Sequence, residues 1–313
     1  MVRFFLRSSL RGMHETPYSV TGVWNQPWNE AGLCAWAENL RRRLGPRTVT
    51  FGLLFVTPRF FPHAAELLEI LRVHAHIPVL AGCSTLGLIA DGREIEEGTG
   101  FVLGLYSLPE AKIRAVHVGS DIGAESVLAE AGIDAAAYDA VLAFAEPFRT
   151  DVEPWLNGVQ AALPGVPVYG GLAAGRGVDE TTQVYCDGSV FDEGGVVLAI
   201  GGVRCIGVTA QGCAPVGDTW TITRAERNII RQIGNRPAVE VLTETFEGLS
   251  DEEKERSGGN LFVGLVVDEY RDDYQRGDFL IRSLIAADPD SGSILVGALP
   301  RSGQTLQFQL RDA

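Results

Sequence analysis

Two short segments carry the side chains best suited to holding a small anionic group. Thr57–Phe60 follows one apolar run, and Gly82–Thr85 follows the next. The Arg59 guanidinium matches the shape of a carboxylate or phosphate, while glycine lets a ligand approach the backbone closely. The hydroxyls and amides of the second segment add hydrogen-bond donors. We therefore predict a ligand-binding edge formed by Arg59, Gly82, Cys83, Ser84 and Thr85.

Three other places present comparable groups as secondary contacts. Glu146–Arg149 and Gly170–Gly177 follow apolar runs in the same way, and Asp268 directly follows the run 261–267. We assign Arg149, Gly171, Arg176 and Asp268 to the predicted ligand site. The glycine-rich loops fit tight turns equally well, and Asp268 also fits a solvated surface pair with Arg271.

Cys83 is open to a second interpretation, that of a thiol nucleophile. Such a nucleophile needs an activating base, and no histidine lies beside it in sequence; His63, His74 or His117 would have to approach in space. A buried, inert cysteine is the more common fate of a free thiol. The sequence contains no P-loop, HExxH, GxSxG or dinucleotide fingerprint. We predict binding without catalysis and without a cofactor.

Composition excludes several classes of partner. The 313 residues carry a formal net charge of −14, and the main basic run is Arg41–Arg43, which disfavours a nucleic acid. No apolar run approaches the ~18 residues of a membrane span. The five cysteines form no CxxC pair and the histidines lack metal-ligand spacing. This usage indicates reduced thiols in a cytoplasmic protein without a metal site.

An internal duplication must position these groups. Phe55 recurs 89 residues later as Phe144, and Pro78–Ser84 recurs at the same distance as Pro167–Ala173. A gapless alignment at this spacing indicates two copies of a strand–helix–strand unit with parallel strands. Ligands bind at the carboxyl ends of such strands. Since the polar loop belongs to the first copy alone, we expect a lopsided site, with an apolar, glycine-rich wall from the second copy.

The pattern of apolar runs predicts an α/β fold, layered in the α+β manner. We expect an N-terminal arm and helix over 1–44, then a domain over 45–208 with its copies at about 45–118 and 138–208. A mainly β domain should occupy 209–313. It should contain one helix, which begins at Pro237. Phe101–Tyr106 and Ile113–Val118 are expected to pair with each other, and 249–260 to form a loop.

The segment Val79–Gly87 resembles the G-C-S-T-x-G signature of the FIST N-terminal domain. The chain is also similar to the FIST C-terminal domain in several segments: Gly212–Asp218, Ile222–Ala225, Asn228–Ile230, Gly234–Ala238, Phe279–Arg282 and Gly303–Phe308. This resemblance implies a bacterial intracellular sensory module that binds small ligands, usually suggested to be amino acids, and acts on a signalling output protein. Many members continue beyond the region of Arg311 with a further apolar segment, so we expect either a short member or a truncated chain.

The leading hypothesis is a cytoplasmic, small-ligand-binding sensory protein for amino acids or related carboxylates. The alternatives are a thiol-dependent hydrolase or transferase that uses Cys83, and a scaffold for protein partners. A scaffold would expose a large apolar patch and lack a pocket.

Overall fold

The computed structural model describes residues 2–6, 18–95, 99–120, 123–175, 181–207, 212–258, 260–271 and 273–311. The chain divides into two compact units, Met1–Gly207 and Val208–Ala313.

The first unit is built from strands and helices in a repeated order. In chain order they are β1 (Val2–Leu6), β2 (Tyr18–Trp24), α1 (Glu30–Arg43), β3 (Phe51–Val56), a 3-10 helix (Pro58–His63), α2 (Ala64–His74), β4 (Leu80–Ser84), β5 (Leu88–Ala90), β6 (Arg93–Ile95), β7 (Phe101–Ser107), β8 (Lys112–Val118), α3 (Ala124–Glu130), β9 (Ala140–Ala145), α4 (Val152–Ala162), β10 (Val168–Leu172), β11 (Val184–Cys186), β12 (Ser189–Phe191), β13 (Gly195–Gly201) and β14 (Val203–Gly207).

Two sheets carry this repeat. In the described residues one has the strand order β12-β11-β4-β3-β7-β2, and the other has the order β10-β9-β13-β8. The pairs β3–β4 and β9–β10 are parallel, with α2 and α4 as their crossover helices. The sequence prediction of two strand–helix–strand units is therefore confirmed.

The duplication extends further than the sequence predicted. The first copy runs from β2 through α1, β3, α2, β4 and the β5–β6 hairpin to β7; the second runs from β8 in the same order to β13. The prediction that β7 pairs with β8 is wrong, because β8 pairs with β13 along its whole length. The short turn between β7 and β8 resembles a hairpin, but it separates the two copies.

The gapless alignment of the copies is also wrong by one residue. β3 and β9 lie 89 residues apart, whereas α2 and α4, like β4 and β10, lie 88 apart. One residue is therefore missing between β9 and α4. In the observed registers Gly82 and Gly170 face equivalent positions, and Cys83 corresponds to Gly171.

The first unit has four layers, helix–sheet–sheet–helix. Leu53 of β3 and Phe144 of β9 share one buried cluster between the two sheets. The alternate residue Leu54 packs with Leu71 of α2 on one outer face. Val159 of α4 covers the other outer face. Because both faces of each sheet are covered, the strands read as continuous apolar runs.

The second unit is mainly β, and the predicted fold class is confirmed. Its elements are β15 (Cys213–Glu226), β16 (Ile229–Ile233), β17 (Arg236–Pro237), α5 (Ala238–Glu247), α6 (Asp251–Arg256), β18 (Leu261–Val266), β19 (Phe279–Asp288), β20 (Ser293–Val296) and β21 (Thr305–Arg311). The sheet order is β15-β21-β18-β19-β20-β16-β17, and β15 also pairs with β16, which closes the sheet on itself.

The second unit contains a second helix that the sequence prediction missed. The segment 249–260 was expected to be a loop, but it contains α6. The Ser250 side chain accepts a hydrogen bond from the Glu253 amide, and the Glu253 carboxylate accepts one from the Ser250 amide at 2.9 Å. This capping box is the sequence signal that would have predicted the helix.

Candidate functional site

The carboxyl edge of the first copy is closed. Gly82, Cys83 and Ser84 are the last three residues of β4, so the expectation that they form a loop is wrong. They are buried because β11, which comes from the second copy, pairs with β4 on its outer side. A Cβ atom on Gly82 would lie 1.8 Å from the Leu54 carbonyl oxygen. This glycine therefore serves the close approach of two strands.

Cys83 lies in the apolar cluster between the two sheets, with 4% of its surface exposed. Burial raises the pKa of its thiol to about 12. A thiol with this pKa stays protonated at neutral pH, and the thiolate is the form that acts as a nucleophile. The surroundings of Cys83 are thus those of a core side chain.

Ser84 and Thr85 use their polar groups within the protein. Ser84 Oγ accepts a hydrogen bond from the Gln183 amide at 3.1 Å, and the Ser84 amide donates to the Gln183 carbonyl at 2.8 Å. Thr85 Oγ1 donates to the Gly87 carbonyl at 2.8 Å. The Ser84 carbonyl accepts from the Ala174 amide at 3.0 Å. The edges of the two copies therefore meet at Ser84.

Arg59 is the exposed cation of the first edge. It lies in the 3-10 helix that follows β3. Within the described part of the chain no hydrogen bond or ion pair to its guanidinium is found. Arg59 stands apart from the buried groups of Gly82–Ser84, which the sequence grouped with it.

The edge of the second copy is organised by Glu146, which the sequence analysis did not assign to the site. Its buried carboxylate accepts hydrogen bonds from the Phe148 amide at 2.9 Å and the Arg149 amide at 2.6 Å. It also accepts one from Thr182 Oγ1 at 2.5 Å. Three donors offset the cost of burying the carboxylate and hold the turn after β9. The sequence signal was an acidic residue directly after an apolar strand.

Arg149 leaves this turn and forms an ion pair with Asp192. Both side chains are more than half exposed. Exposed ion pairs contribute little stability, so the guanidinium can exchange its partner for the carboxylate of a ligand.

An open groove lies beside this turn, on the outer face of the second sheet. Its volume is about 260 Å³. It is lined by residues of β9, α4 and β10: Ala143, Ala145, Val152, Trp155, Leu156, Val168, Tyr169, Gly170, Gly171 and Leu172. The Trp155 indole nitrogen donates to the Val118 carbonyl at 3.0 Å, which fixes the ring. A Cβ atom on Gly171 would meet no atom within 4 Å; it would project toward the inner face of the sheet, on the same side as Tyr169 and Ala173.

The equivalent space in the first copy is filled. The side chain of Tyr185, from β11, is completely buried in the cluster that α2 forms with the first sheet. Tyr185 lies opposite Gly82 in the β4–β11 pairing. The two copies thus differ in the space beside the second strand of each unit. In the first copy β11 and its Tyr185 side chain fill this space, and in the second copy it is an open groove.

Two of the predicted residues remain, Arg176 and Asp268. Arg176 lies outside the described residues. Asp268 belongs to the second compact unit, where its carboxylate accepts a hydrogen bond from the Tyr270 amide at 3.1 Å and lies 3.9 Å from Arg271 Nε. This is the local surface pairing that the sequence analysis named as its alternative.

The described residues contain neither a metal-binding cluster nor a membrane-spanning helix. No group of three or more His, Cys, Asp or Glu side chains there is arranged to hold a metal ion. No helix in the same part of the chain has both the length and the apolar character needed to cross a membrane.

Comparison with known proteins covers nearly the whole chain. The FIST N domain model matches residues 50–236, and the FIST C domain model matches residues 238–313. An uncharacterized protein of Mycobacterium tuberculosis (strain CDC 1551 / Oshkosh) is 30% identical over 280 residues, covering 88% of this chain and 72% of that protein. An uncharacterized protein of Mycobacterium bovis (strain ATCC BAA-935 / AF2122/97) is 30% identical over 293 residues, covering 93% and 75%.

Proposed function

The chain belongs to the FIST family, whose domains are sensory domains of signal transduction, and we propose that it is a cytoplasmic sensor that binds an amino acid or a related small carboxylate without catalysis. A signalling output protein would respond to the bound state. The observation that carries this proposal is the open groove of the second copy, at the carboxyl end of β9 and β10.

The groove matches the two parts of such a ligand. Its apolar lining, with Trp155 on one side, suits an aliphatic or aromatic side chain. Its volume of about 260 Å³ suits a small molecule. Ala145 and Val152 both line the groove, and the turn that joins them carries Arg149. We assign the ligand's carboxylate to Arg149 and its ammonium group to Asp192, which Arg149 would release.

The groove replaces the site predicted in the first copy. In that copy the polar groups of Ser84 and Thr85 are bonded within the protein, and the thiol of Cys83 is buried. Arg59 stays available there, but the space beside β4 is filled by Tyr185.

A thermal-shift screen over amino acids and small carboxylates tests the proposal. Ligand at 100 times its dissociation constant should add about 2.7 kcal/mol of stability. In a domain of this size that amounts to a rise of several degrees in Tm, at about 2–4 °C per kcal/mol. The tryptophan emission of the native chain should change on binding, because Trp155 lines the groove. In Trp155→Phe the emission should not change when the ligand is added.

Matched variants locate the site. Leu172→Trp should fill the groove and abolish the shift, because Leu172 lines the groove on the same face of β10 as Val168, while Val267→Trp, at another exposed apolar residue, should bind normally. Arg149→Ala should weaken binding at least tenfold, by about 1.4 kcal/mol or more, and Arg59→Ala should leave it unchanged. The proposal is wrong if no compound raises the Tm of the native chain, or if Leu172→Trp binds as well as the native chain.

A further inference from the structure

We propose that β10 is a docking edge for a second copy of this chain, whose β5–β6 hairpin pairs with β10 and places Ile89 in the groove beside α4. This inference goes beyond the proposed function and does not depend on it. Three observations support it: a strand edge that is unpaired in the described residues, a hairpin that pairs with no other described strand, and the equivalent pairing within the chain that relates the two.

The acceptor is the free edge of β10. Pairing with β9 uses the amide and carbonyl groups of alternate residues, as the bonds of the Pro167 carbonyl and the Ala173 amide to β9 show. The amides and carbonyls of Val168, Gly170 and Leu172 therefore point away from the sheet, and in the described part of the chain no strand pairs with them. Leu172 is 54% exposed. An edge of this kind is a template for strand addition.

The first copy shows which partner such an edge takes. There β11 runs antiparallel to β4, with Val184 opposite Cys83 and Tyr185 opposite Gly82. The Tyr185 side chain then fills the space between β4 and α2. A short strand with one large side chain thus closes both the edge and the groove.

The donor is the β5–β6 hairpin, the counterpart of β11–β12 in the repeat. Both hairpins turn at an Asp-Gly pair, and Asp91 and Asp187 share the left-handed conformation with φ near 51° and 53°. Ile89 occupies the position of Tyr185, and 73% of its surface is exposed. Among the described strands β5 pairs with β6 alone. Its second edge is therefore unpaired among the described residues.

Each chain therefore carries one donor and one acceptor, and its own hairpin is not docked on its own β10. Two copies can satisfy both needs at once in a twofold dimer, because each hairpin takes the β10 edge of the other chain. The precedent sets the register: Ile89 opposite Gly170, Leu88 opposite Gly171 and Gly87 opposite Leu172.

Disulfide trapping between two single-cysteine additions tests this register. Gly87 and Leu172 correspond to Gln183 and Ser84, which are joined by a backbone hydrogen bond in the first copy. Cysteines placed on such a pair have a Cα separation within disulfide range. A chain with Gly87→Cys is mixed with a chain with Leu172→Cys and oxidised; a crosslinked dimer should form in the mixture. Neither chain alone nor the native chain should give that product.

The oligomeric state supplies an independent readout. Light scattering should find the native chain as a dimer, and Ile89→Asp should raise its dissociation constant at least tenfold. Val267→Asp is the matched control, since Val267 is 71% exposed, and it should leave the dimer unchanged. Both substituted residues are exposed, so neither change should prevent folding.

The outcomes divide cleanly. Crosslinking in the mixture supports the second copy as the occupant. A chain with both cysteines that closes within itself, with no product in the mixture, shows the hairpin docking on its own chain and overturns the proposal. A monomeric native chain, or a mixture without the expected product, overturns it as well.

Discussion

The two copies of the repeat use one scaffold and end in opposite states. In the first, β11 covers the β4 edge and Tyr185 fills the space beneath α2. In the second, the β10 edge and the groove beside α4 are open. The difference does not come from the strand–helix–strand units, whose corresponding elements have the same lengths in both copies. It comes from where each copy's hairpin lies. Duplication thus supplies a closed copy that shows what the open copy lacks.

The polar residues of the first copy point to the same lesson. The residue types of Cys83 and Ser84 suggest a role in binding or catalysis, yet both residues lie on a buried strand. Their counterparts, Gly171 and Leu172, look inert but are exposed at an open edge. Accessibility, which is set by a neighbouring strand, decides which copy can bind.

The sharpest contrast is in thiol reactivity. Gly171→Cys places an exposed thiol at the position equivalent to Cys83. The pKa of Cys83 is raised to about 12, about three units above an ordinary thiol, so its thiolate fraction is lower by a factor of about a thousand. Alkylation followed by peptide mass spectrometry should show that ratio or more. Equal rates at Cys83 and at the introduced cysteine would refute the closed state of the first copy.

The same pKa predicts a loss of stability in alkali. Burial raises the pKa of Cys83 from 9.0 to about 12 in the folded state, so the unfolded chain releases this proton first. Stability is unaffected below pH 9 and falls between pH 9 and about pH 12, by about 1.4 kcal/mol per pH unit. Urea titrations of the native chain and of Cys83→Ala should differ in this alkaline slope. Identical slopes would contradict the assignment.

Truncating the large side chain of each hairpin, Tyr185 or Ile89, should lower the free energy of unfolding by very different amounts. Tyr185→Ala empties a fully buried space, and we expect it to cost about 3–5 kcal/mol, the usual range for buried aromatic residues. Ile89→Ala changes an exposed side chain and should stay within about 0.5 kcal/mol in the monomer. Urea unfolding of dilute protein measures both. A large loss for Ile89→Ala would mean that the second groove is already filled within the chain.

Glycine substitutions should compare a crowded position on β4 with an open position on β10, with a smaller effect on the free energy of unfolding. Gly82→Ala directs a methyl group into the Leu54 carbonyl and should cost about 1–3 kcal/mol. Gly171→Ala meets open space and a negative φ, so it should be neutral or stabilising by up to about 1 kcal/mol. Thermal unfolding compares the two, and a similar loss for both would show that the position of Gly171 is as crowded as that of Gly82.

The smallest expected effect links the ligand to the dimer. A small molecule in the groove and Ile89 of a second copy would occupy the same space, so each should weaken the other. At about twice its dissociation constant, the ligand should raise the apparent dimer dissociation constant about ninefold, because both grooves of the twofold dimer must be free of ligand. Sedimentation velocity with and without ligand measures this, and Arg149→Ala, which weakens ligand binding but keeps the dimer contacts, is the control that should respond less. A dimer unaffected by saturating ligand would place the two events at different sites.

Much of the fold could be predicted from local pattern. The apolar runs of β3 and β9 and the helical spacing of α2 and α4 predicted the duplicated units, because buried parallel strands and amphipathic helices leave clear periodicities. The one-residue offset was missed because it falls in a loop, where no periodicity constrains the alignment. The helix α6 was missed because its charged residues lack an apolar stripe, although its capping box is written in Ser250 and Glu253.

The candidate site was predicted less well, for a reason that applies to each of its residues. Residue type shows what Arg59, Cys83 and Arg149 can do chemically, but not whether a neighbouring strand covers them. Glu146 escaped notice because its three hydrogen-bond donors come from its own turn and from Thr182, 36 residues away. The groove itself is a space between elements and has no sequence signal.

The sequence was enough to establish the repeat, the parallel strand–helix–strand units, the mainly β second part and the family, since each is written in local periodicity or in ordered motifs. Which copy is open was decided by tertiary structure. The β11–β12 hairpin crosses from the second copy to pair with β4 in the first, over a separation of about a hundred residues in sequence. The β5–β6 hairpin makes no such pairing among the described strands. Local pattern predicts both hairpins alike, but it does not predict which strand edge each hairpin joins. That choice depends on contacts that form only when the two sheets stack.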